Sequence, residues 1–410
     1  MQIPYGEGEL DVDLSAYDVT VAEPPGGEAV DVPAAAEVAL NDPHGPALES
    51  LANPDDEVAV VVTDVTRDTP DDVLLAALLD RLPVPRENVS VILGLGLHRP
   101  MTDEEIREGL GTNADLAVNH DPDSVVQVGE LDRVNGEGTV PVEVNRIVDD
   151  ADLVVATGMV EPHQYAGFSG GAKTVVIGAG SESMIRYTHG PEMLGEPGVR
   201  LGRVDDNPFR EALDKAGDLA GPDFCVNVTQ GPSGILGVSA GQPRDVVREL
   251  AAVGLDALSV DVAGEYDAAI TGVPAPKDAN LYQASRAATY LCLGPHNPVR
   301  EDGRVVVPAR IPEGAGEGTG EQRFYERFKN ASSADALYEA MREGYEPGAQ
   351  RAFVVARALR RNPVHITNCD RPDVVRECLM TPQETVTDAL TPGDRVLVVP
   401  DSLHTLVTAP

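Results

Sequence analysis

Short apolar runs rich in valine and isoleucine recur along the chain, each followed by a polar loop and then a helical pattern. That alternation predicts parallel α/β units. The first run spans Glu57 to Thr63 and opens into the loop Asp64-Val65-Thr66-Arg67-Asp68. Thr69 then reads as an N-cap, with Pro70 at the first helical position, for a helix DDVLLAALLDRL. The second run, Val89 to Leu97, is apolar enough to be buried on both faces and ends at His98. Thr102 and Glu105 have capping-box spacing for the helix that follows. The third, Ala151 to Thr157, leads to a long loop with His163 and a glycine-rich turn. The fourth, Tyr266 to Val273, passes through Pro274 and Pro276 into a helix near residues 281–289. Each polar loop therefore follows the carboxyl end of a strand, the edge at which open α/β sheets bind ligands.

The pattern predicts two α/β domains with mostly parallel sheets and an active-site cleft between them. The expected division is 1–258 and 259–410, with the last few residues able to return to the N-terminal domain. In the C-terminal half, helices are expected at 321–344 (broken near 330–332), 348–361 and 382–390, and strands at 303–308, 363–367 and 394–399. The glycine-rich segment 312–320 predicts a mobile loop.

Composition narrows the partners. The 410 residues include 68 acidic and 31 basic ones, a formal charge of −37, spread over the whole chain. Nucleic acid and anionic membrane surfaces both require a basic face, so neither is an expected partner. A dispersed acidic excess with few lysines resembles a protein adapted to extreme salt. Cys225, Cys292, Cys369 and Cys378 show no CxxC spacing and read as thiols in a reducing compartment. The start has no basic segment followed by an apolar one, and no apolar run approaches membrane-spanning length, so a cytoplasmic protein is expected.

Only four of the basic residues are lysines, and Lys173 closes the turn Gly167-Phe168-Ser169-Gly170-Gly171-Ala172-Lys173. Arginine supplies charge equally well, but only a primary amine bonds readily to an electrophilic carbon. An isolated lysine is ordinarily a solvated surface residue; His98, His163 and His189 in neighbouring segments change that reading. The turn approaches a Walker loop, GxxxxGK[ST], but Ala172 stands at its second glycine and no strand runs directly into Gly167. A weaker expectation survives: the backbone N–H groups of Ser169, Gly170 and Gly171 can hold a phosphate. Imidazoles at strand ends suit acid–base work, against the plain reading of structural histidines. No HExxH or Cys/His cluster points to zinc. Tyr282, Gln283 and Arg286 share one helical face. Arg286 and Arg67, from two domains, can clamp a carboxylate, against the plain reading of surface ion pairs.

Together these segments resemble the nickel-dependent lactate racemase family. The pieces that carry the likeness are Asp64-Val65-Thr66-Arg67, Gly96-Leu97-His98-Arg99, the block from Glu161-Pro162-His163 through Gly170-Gly171-Ala172-Lys173, His189-Gly190, and Lys277-Asp278-Ala279-Asn280-Leu281-Tyr282-Gln283-Ala284, in order along nearly the whole chain. The resemblance implies nickel in a pincer nucleotide, pyridinium-3,5-bisthiocarboxylic acid mononucleotide, bound covalently to Lys173. It implies His189 as the metal ligand, with Asp64, Thr66, Ser169, Gly170 and Gly171 around the cofactor. Imidazole with soft sulfur donors suits square-planar Ni(II). His98 and His163 become the acid–base pair, Arg67 the carboxylate-binding residue, and Tyr282, Gln283 and Arg286 substrate contacts. The implied reaction is racemisation or epimerisation of a 2-hydroxy acid, lactate or a related hydroxy or sugar acid, by hydride transfer through the cofactor. The implied partners are that small molecule and the enzymes that build the cofactor. Arg286 stands where the lactate enzyme has lysine, and residues 346–350 lie near a position where many members place a tryptophan that this chain lacks. Two rival readings are a phosphate-loop nucleotide hydrolase and a non-catalytic binder of carboxylates or metal.

The charge excess carries its own prediction. Self-repulsion is screened once the Debye length falls to about 3 Å near 1 M salt. The midpoint of thermal unfolding should rise steadily as KCl is raised from about 0.1 M into the molar range. A midpoint that is flat or falls over that range would remove the salt-adaptation reading.

Overall fold

The structure, a computed structural model, describes residues 1–410 as two compact units, Gly26–Ala257 and Met1–Pro25 with Leu258–Pro410. Each is an α/β unit built on a six-stranded sheet.

In Gly26–Ala257 the sheet order is Gly234–Gly241, Phe224–Gly231, Leu153–Met159, Val58–Val62, Val89–Leu93, Ala117–Asn119. All neighbours are parallel except the edge pair Phe224–Gly231 and Gly234–Gly241. Every residue of Val58–Val62 and of Leu153–Met159 is buried, as expected for central strands covered on both faces. The strand expected to run to Leu97 stops at Leu93. At Gly94 a side chain would lie 3.0 Å from the Val62 carbonyl, and Gly96 takes a positive φ of 57°. The chain turns there, and the His98 N–H closes onto the Leu95 carbonyl at 2.9 Å.

The two helix starts read from the sequence fared differently. Thr102 and Glu105 form both bonds of the capping box. Thr69 does not cap: the helix is Asp71–Leu79, Pro70 occupies the cap position, and the Thr69 hydroxyl has no partner. The proline ring fixes the backbone one residue later than the hydroxyl pattern suggests.

The second unit has an all-parallel sheet, Thr381–Gln383, Val364–Thr367, Val299–Pro308, Tyr266–Thr271, Arg395–Val399, Asp18–Val21. Its composition corrects the expected division at the amino end. Met1–Pro25 belongs here, because Asp18–Val21 pairs with Arg395–Val398 and Gln2–Gly6 lies against Val273–Pro274. Ile3, Val12 and Leu14 fill one core with Ile270, Val306 and Val398. The carboxyl end stays in the same unit: Leu406–Thr408 pairs with Ser259–Asp261. The helix expected at 382–390 is instead the edge strand Thr381–Gln383 and a single 3₁₀ turn, Thr387–Ala389. The glycine-rich segment at 312–320 is tied down by Leu281 N–H to Gly314 O (2.8 Å) and Glu313 N–H to Ala279 O (2.9 Å).

Ile3 is fully buried far in sequence from the strands it covers. Ile3→Ala should lower the unfolding free energy by about 2–5 kcal/mol, measured by urea denaturation. A loss within about 0.5 kcal/mol, the range of surface changes, would mean the amino-terminal segment does not share that core.

Candidate active site

The chain leaves Val58–Val62 for Val89–Leu93 on one side and later returns to Leu153–Met159 on the other. The loops after Val62 and Met159 therefore diverge, opening a crevice at the topological switch point. Asp71, only 6% exposed, lies at the first turn of helix Asp71–Leu79 and bonds across both strand ends. It accepts the Thr63 hydroxyl at 2.6 Å and the Thr157 hydroxyl. Burial raises its pKa to about 7, against the opposing pull of those two hydroxyls.

Asp64 organises the first loop. One carboxylate oxygen accepts the Thr66 N–H (3.1 Å) and hydroxyl (2.5 Å); the other meets His98 Nδ1 at 2.7 Å. Burial by itself would raise the Asp64 pKa, but the bonds from His98 and Thr66 outweigh it and hold the group below its usual value. With Nδ1–H donated to Asp64, the outer nitrogen of His98 is Nε2, on a ring whose side chain is 62% exposed. Arg67 Nη1 donates to Glu161 Oε1, an ion pair that joins the loops on the two sides of the crevice.

His163 is held in the opposite sense. It sits on the ribbon Pro162–His163 with Gly167–Phe168, and its Nδ1 accepts the N–H groups of Tyr165 (3.3 Å) and Ala166 (3.1 Å). The proton of the neutral ring is then on Nε2. Burial, then the charges of Lys173 and Arg67, push its pKa well below the ordinary histidine value. Lys173 follows at the start of a π-helical turn, Thr174–Gly178, a rare form often found at functional sites. Burial, then Arg67 and Arg210, lower its pKa to about 7.

His189 caps the helix Glu182–Thr188. Its Nδ1 lies 3.2 Å from the Ile185 carbonyl and 3.0 Å from the Thr188 hydroxyl, whose own proton goes to Met184 O at 2.7 Å. Nδ1 is therefore the N–H, and Nε2 keeps its lone pair. Burial, then Lys173, lowers the pKa to about 3, so the ring is the neutral form that ligates metals. No group of three or more His, Cys, Asp or Glu side chains is placed to hold a metal ion. A metal at His189 would thus need its other donors from a bound group, which fits a cofactor that carries its own sulfur and carbon ligands.

The glycine turn differs from the expected phosphate cradle. Ser169 N–H bonds Glu161 O at 2.9 Å, and Gly171 N–H bonds Asn227 Oδ1 at 2.8 Å. The Ser169 hydroxyl is also engaged, donating to Met159 O at 2.6 Å and accepting the Glu161 N–H at 3.0 Å. Two of the three backbone donors are thus used inside the protein. No strand–loop–α-helix leads through Lys173, so the phosphate-loop hydrolase loses its structural basis.

Three functional candidates escaped the sequence reading, all at the start of helix Pro208–Ala220. Asn207 donates to Tyr165 O and Arg203 O, both at 2.8 Å. The Phe209 ring lies 5.2 Å from His189 and 6.0 Å from both His163 and Tyr165. Arg210 grips the turn carbonyls. Asn207 followed by Pro208 was a legible helix start, but nothing in it told that the next two side chains face the site.

Asp64, Thr66, Arg67, His98, His163, Ser169, Gly170, Gly171, Lys173 and His189 all belong to Gly26–Ala257. Tyr282, Gln283 and Arg286 belong to the other unit, on helix Leu281–Cys292. There Arg286 Nε donates to Gln283 Oε1 at 2.9 Å, and the Tyr282 ring meets Phe324 edge-on at 5.6 Å.

Comparison with known proteins finds likenesses along nearly the whole chain. Residues 5–202 match the lactate racemase N-terminal domain. The chain is 27% identical to a lactate racemase of Thermoanaerobacterium thermosaccharolyticum, covering 99% of both chains. It is also 27% identical to one of Lactiplantibacillus plantarum, covering 90% of each. The structure of the lactate racemase apoprotein from T. thermosaccharolyticum superposes with a TM-score of 0.85 at 25% identity, over 99% of each chain. A Thermotoga maritima protein shares the fold, with a TM-score of 0.69 at 19% identity over 94% of this chain and 100% of that one.

Asp71 gives the site a testable pH signature. Its folded pKa, about 7, lies above the ordinary range of an aspartate, so the native state binds the proton more tightly and stability falls as pH rises through that window. Asp71→Asn stays neutral and loses this slope. Relative to Asp71→Asn, the wild type should lose up to roughly 4 kcal/mol of unfolding free energy between pH 4 and 8, read from urea curves. Parallel pH profiles for the two proteins would show that Asp71 ionises normally.

Proposed function

We propose that the chain is a racemase or epimerase of a 2-hydroxy acid, working with a nickel pincer nucleotide carried on Lys173. The observation that supports this most is the pair of buried, neutral imidazoles, His163 and His189, beside one buried amine, with His98 tied to Asp64 on the neighbouring loop. The likeness to lactate racemases over nearly the whole chain supports the reaction class, and such enzymes are isomerases. When bound, the group supplies the acceptor and donor for the C2 hydride.

The protein's own residues do the rest. Lys173 anchors the group and His189 Nε2 offers the metal its one protein ligand. His98 Nε2, backed by Asp64, takes the proton of the substrate hydroxyl. His163 Nε2–H donates a hydrogen bond to the oxygen from the other side, and it serves the opposite enantiomer as base only in a form whose Nε2 has given up that proton. Arg67, steadied by Glu161 through one nitrogen, retains further N–H groups for the substrate carboxylate. The lactate racemases set lactate as the first substrate to assay; the Arg286 and tryptophan differences favour including bulkier hydroxy and sugar acids. Substrate contacts by Tyr282, Gln283 and Arg286 rest on the sequence resemblance. No helix is long and apolar enough to cross a membrane, and composition supports a cytoplasmic setting at high salt. The cofactor-building enzymes are then obligatory partners.

Protein made together with those enzymes should contain near-equimolar nickel and a covalent mass increment. Lys173→Ala should lose the increment; His189→Ala should keep it and lose nickel. His98→Ala should lower racemisation by about 10²–10⁴-fold. Racemisation in D2O should leave C2 without deuterium. An increment that survives Lys173→Ala refutes the tether, and extensive C2 deuteration refutes hydride transfer.

A further inference from the structure

We propose that Arg210 is a positioning residue for Lys173: it holds the glycine turn in the path that aims the amine and places a buried positive charge behind that turn. The inference rests on the reading of Lys173 as the attachment point and deepens it.

Arg210 is 2% exposed. Its Nη1 donates to Gly170 O at 3.2 Å, and its Nη2 reaches Ser169 O at 3.3 Å and Phe168 O more closely. Three consecutive carbonyls converge on one guanidinium, so a single outside donor holds the turn at three successive residues. Gly170 allows it: its φ is 80°, and a side chain there would lie 2.5 Å from Val160 Cγ2. Lys173 is only three residues farther along the chain. Asn207 and Phe209, from the same helical turn as Arg210, hold the other end of the loop by Tyr165 O and by the His163 and His189 rings. One helix start is thus the template for the whole segment from His163 to Lys173.

The charge argument is separate from the aim. Arg210 spends its donors on neutral carbonyls, and its nearest carboxylate, Asp214, stands off at 3.7 Å. A buried cation so weakly compensated acts on its neighbours at low dielectric. The groups facing Lys173 are Arg67 and Arg210, opposed by Glu161 and Asp64, with the imidazoles of His163 and His189 neutral beside it. A residue that only braced the backbone would leave the amine's protonation unchanged, and this difference is measurable without cofactor.

The test is trace acetylation of the full-length, cofactor-free chain with acetic anhydride across pH 5–10. The unprotonated amine displaces acetate, and peptide mass resolves the four lysines, Lys173, Lys215, Lys277 and Lys329. Wild-type Lys173 should show a midpoint near 7. In Arg210→Met the midpoint should rise by about one pH unit or more, a tenfold loss of free amine at neutral pH. Arg210→Lys should restore much of the shift, and Lys215 should stay constant as the internal reference. A folded Arg210→Met whose midpoint matches wild type overturns the proposal. If that variant does not fold, Arg210→Gln, which keeps an N–H donor for the turn but not the charge, takes its place, and an unmoved midpoint there overturns it instead. Neither outcome depends on nickel: a chain that never acquires a mass increment defeats the racemase reading while leaving this assay intact.

Discussion

Two parallel strands paired from Val58↔Leu153 to Val61↔Ala156 carry loops that must part company at their carboxyl ends. The chain crosses to opposite sides of the sheet from these strands, so no connection fills the gap above them. Asp71 stitches the floor of the gap and the Arg67–Glu161 pair spans its rim. His98 is tied to the first loop by Asp64, and His163 rides on the second. Shifting the register of that strand pair by one residue would turn every one of these groups away.

The electrostatics of the site run against those of the molecule. The chain carries a formal charge of −37, yet the groups that set proton affinities here are Arg67, Arg210 and Lys173. Burial amplifies their effect while the acidic excess lies in solvent, where salt screens it. The same burial keeps His163 and His189 neutral. Neutral imidazoles beside a partly deprotonated lysine suit ligation, covalent attachment and proton exchange. Covalent attachment in particular would be blocked if Lys173 held its proton as an amine does in water.

The strand ends were legible because a continuous apolar run can be paired only inside a sheet. His98, His163 and Lys173 could then be assigned to an edge before any contact was known. Less legible was whatever depended on a partner distant in sequence. Asp18–Val21 is an exposed edge strand with little apolar signal, so its home beside Arg395–Val399 could not be read locally. The phosphate cradle was read from three glycine-turn residues, but the acceptors that occupy Ser169 and Gly171 come from Glu161 and Asn227.

Arg210 shows where local reading stops. A helix opening Asn-Pro-Phe-Arg states its own cap and first turn, since capping is a property of adjacent residues. That its arginine is buried against carbonyls some forty positions earlier is a fact of packing. The sequence by itself determined the α/β alternation, the strand-end placement of the histidines and the one amine among glycines, because periodicity and residue chemistry are local. Only the tertiary structure decided which imidazole nitrogen carries a proton, which turn donors remain free and which unit the first 25 residues join. Those outcomes are set by partners that the chain brings together only on folding.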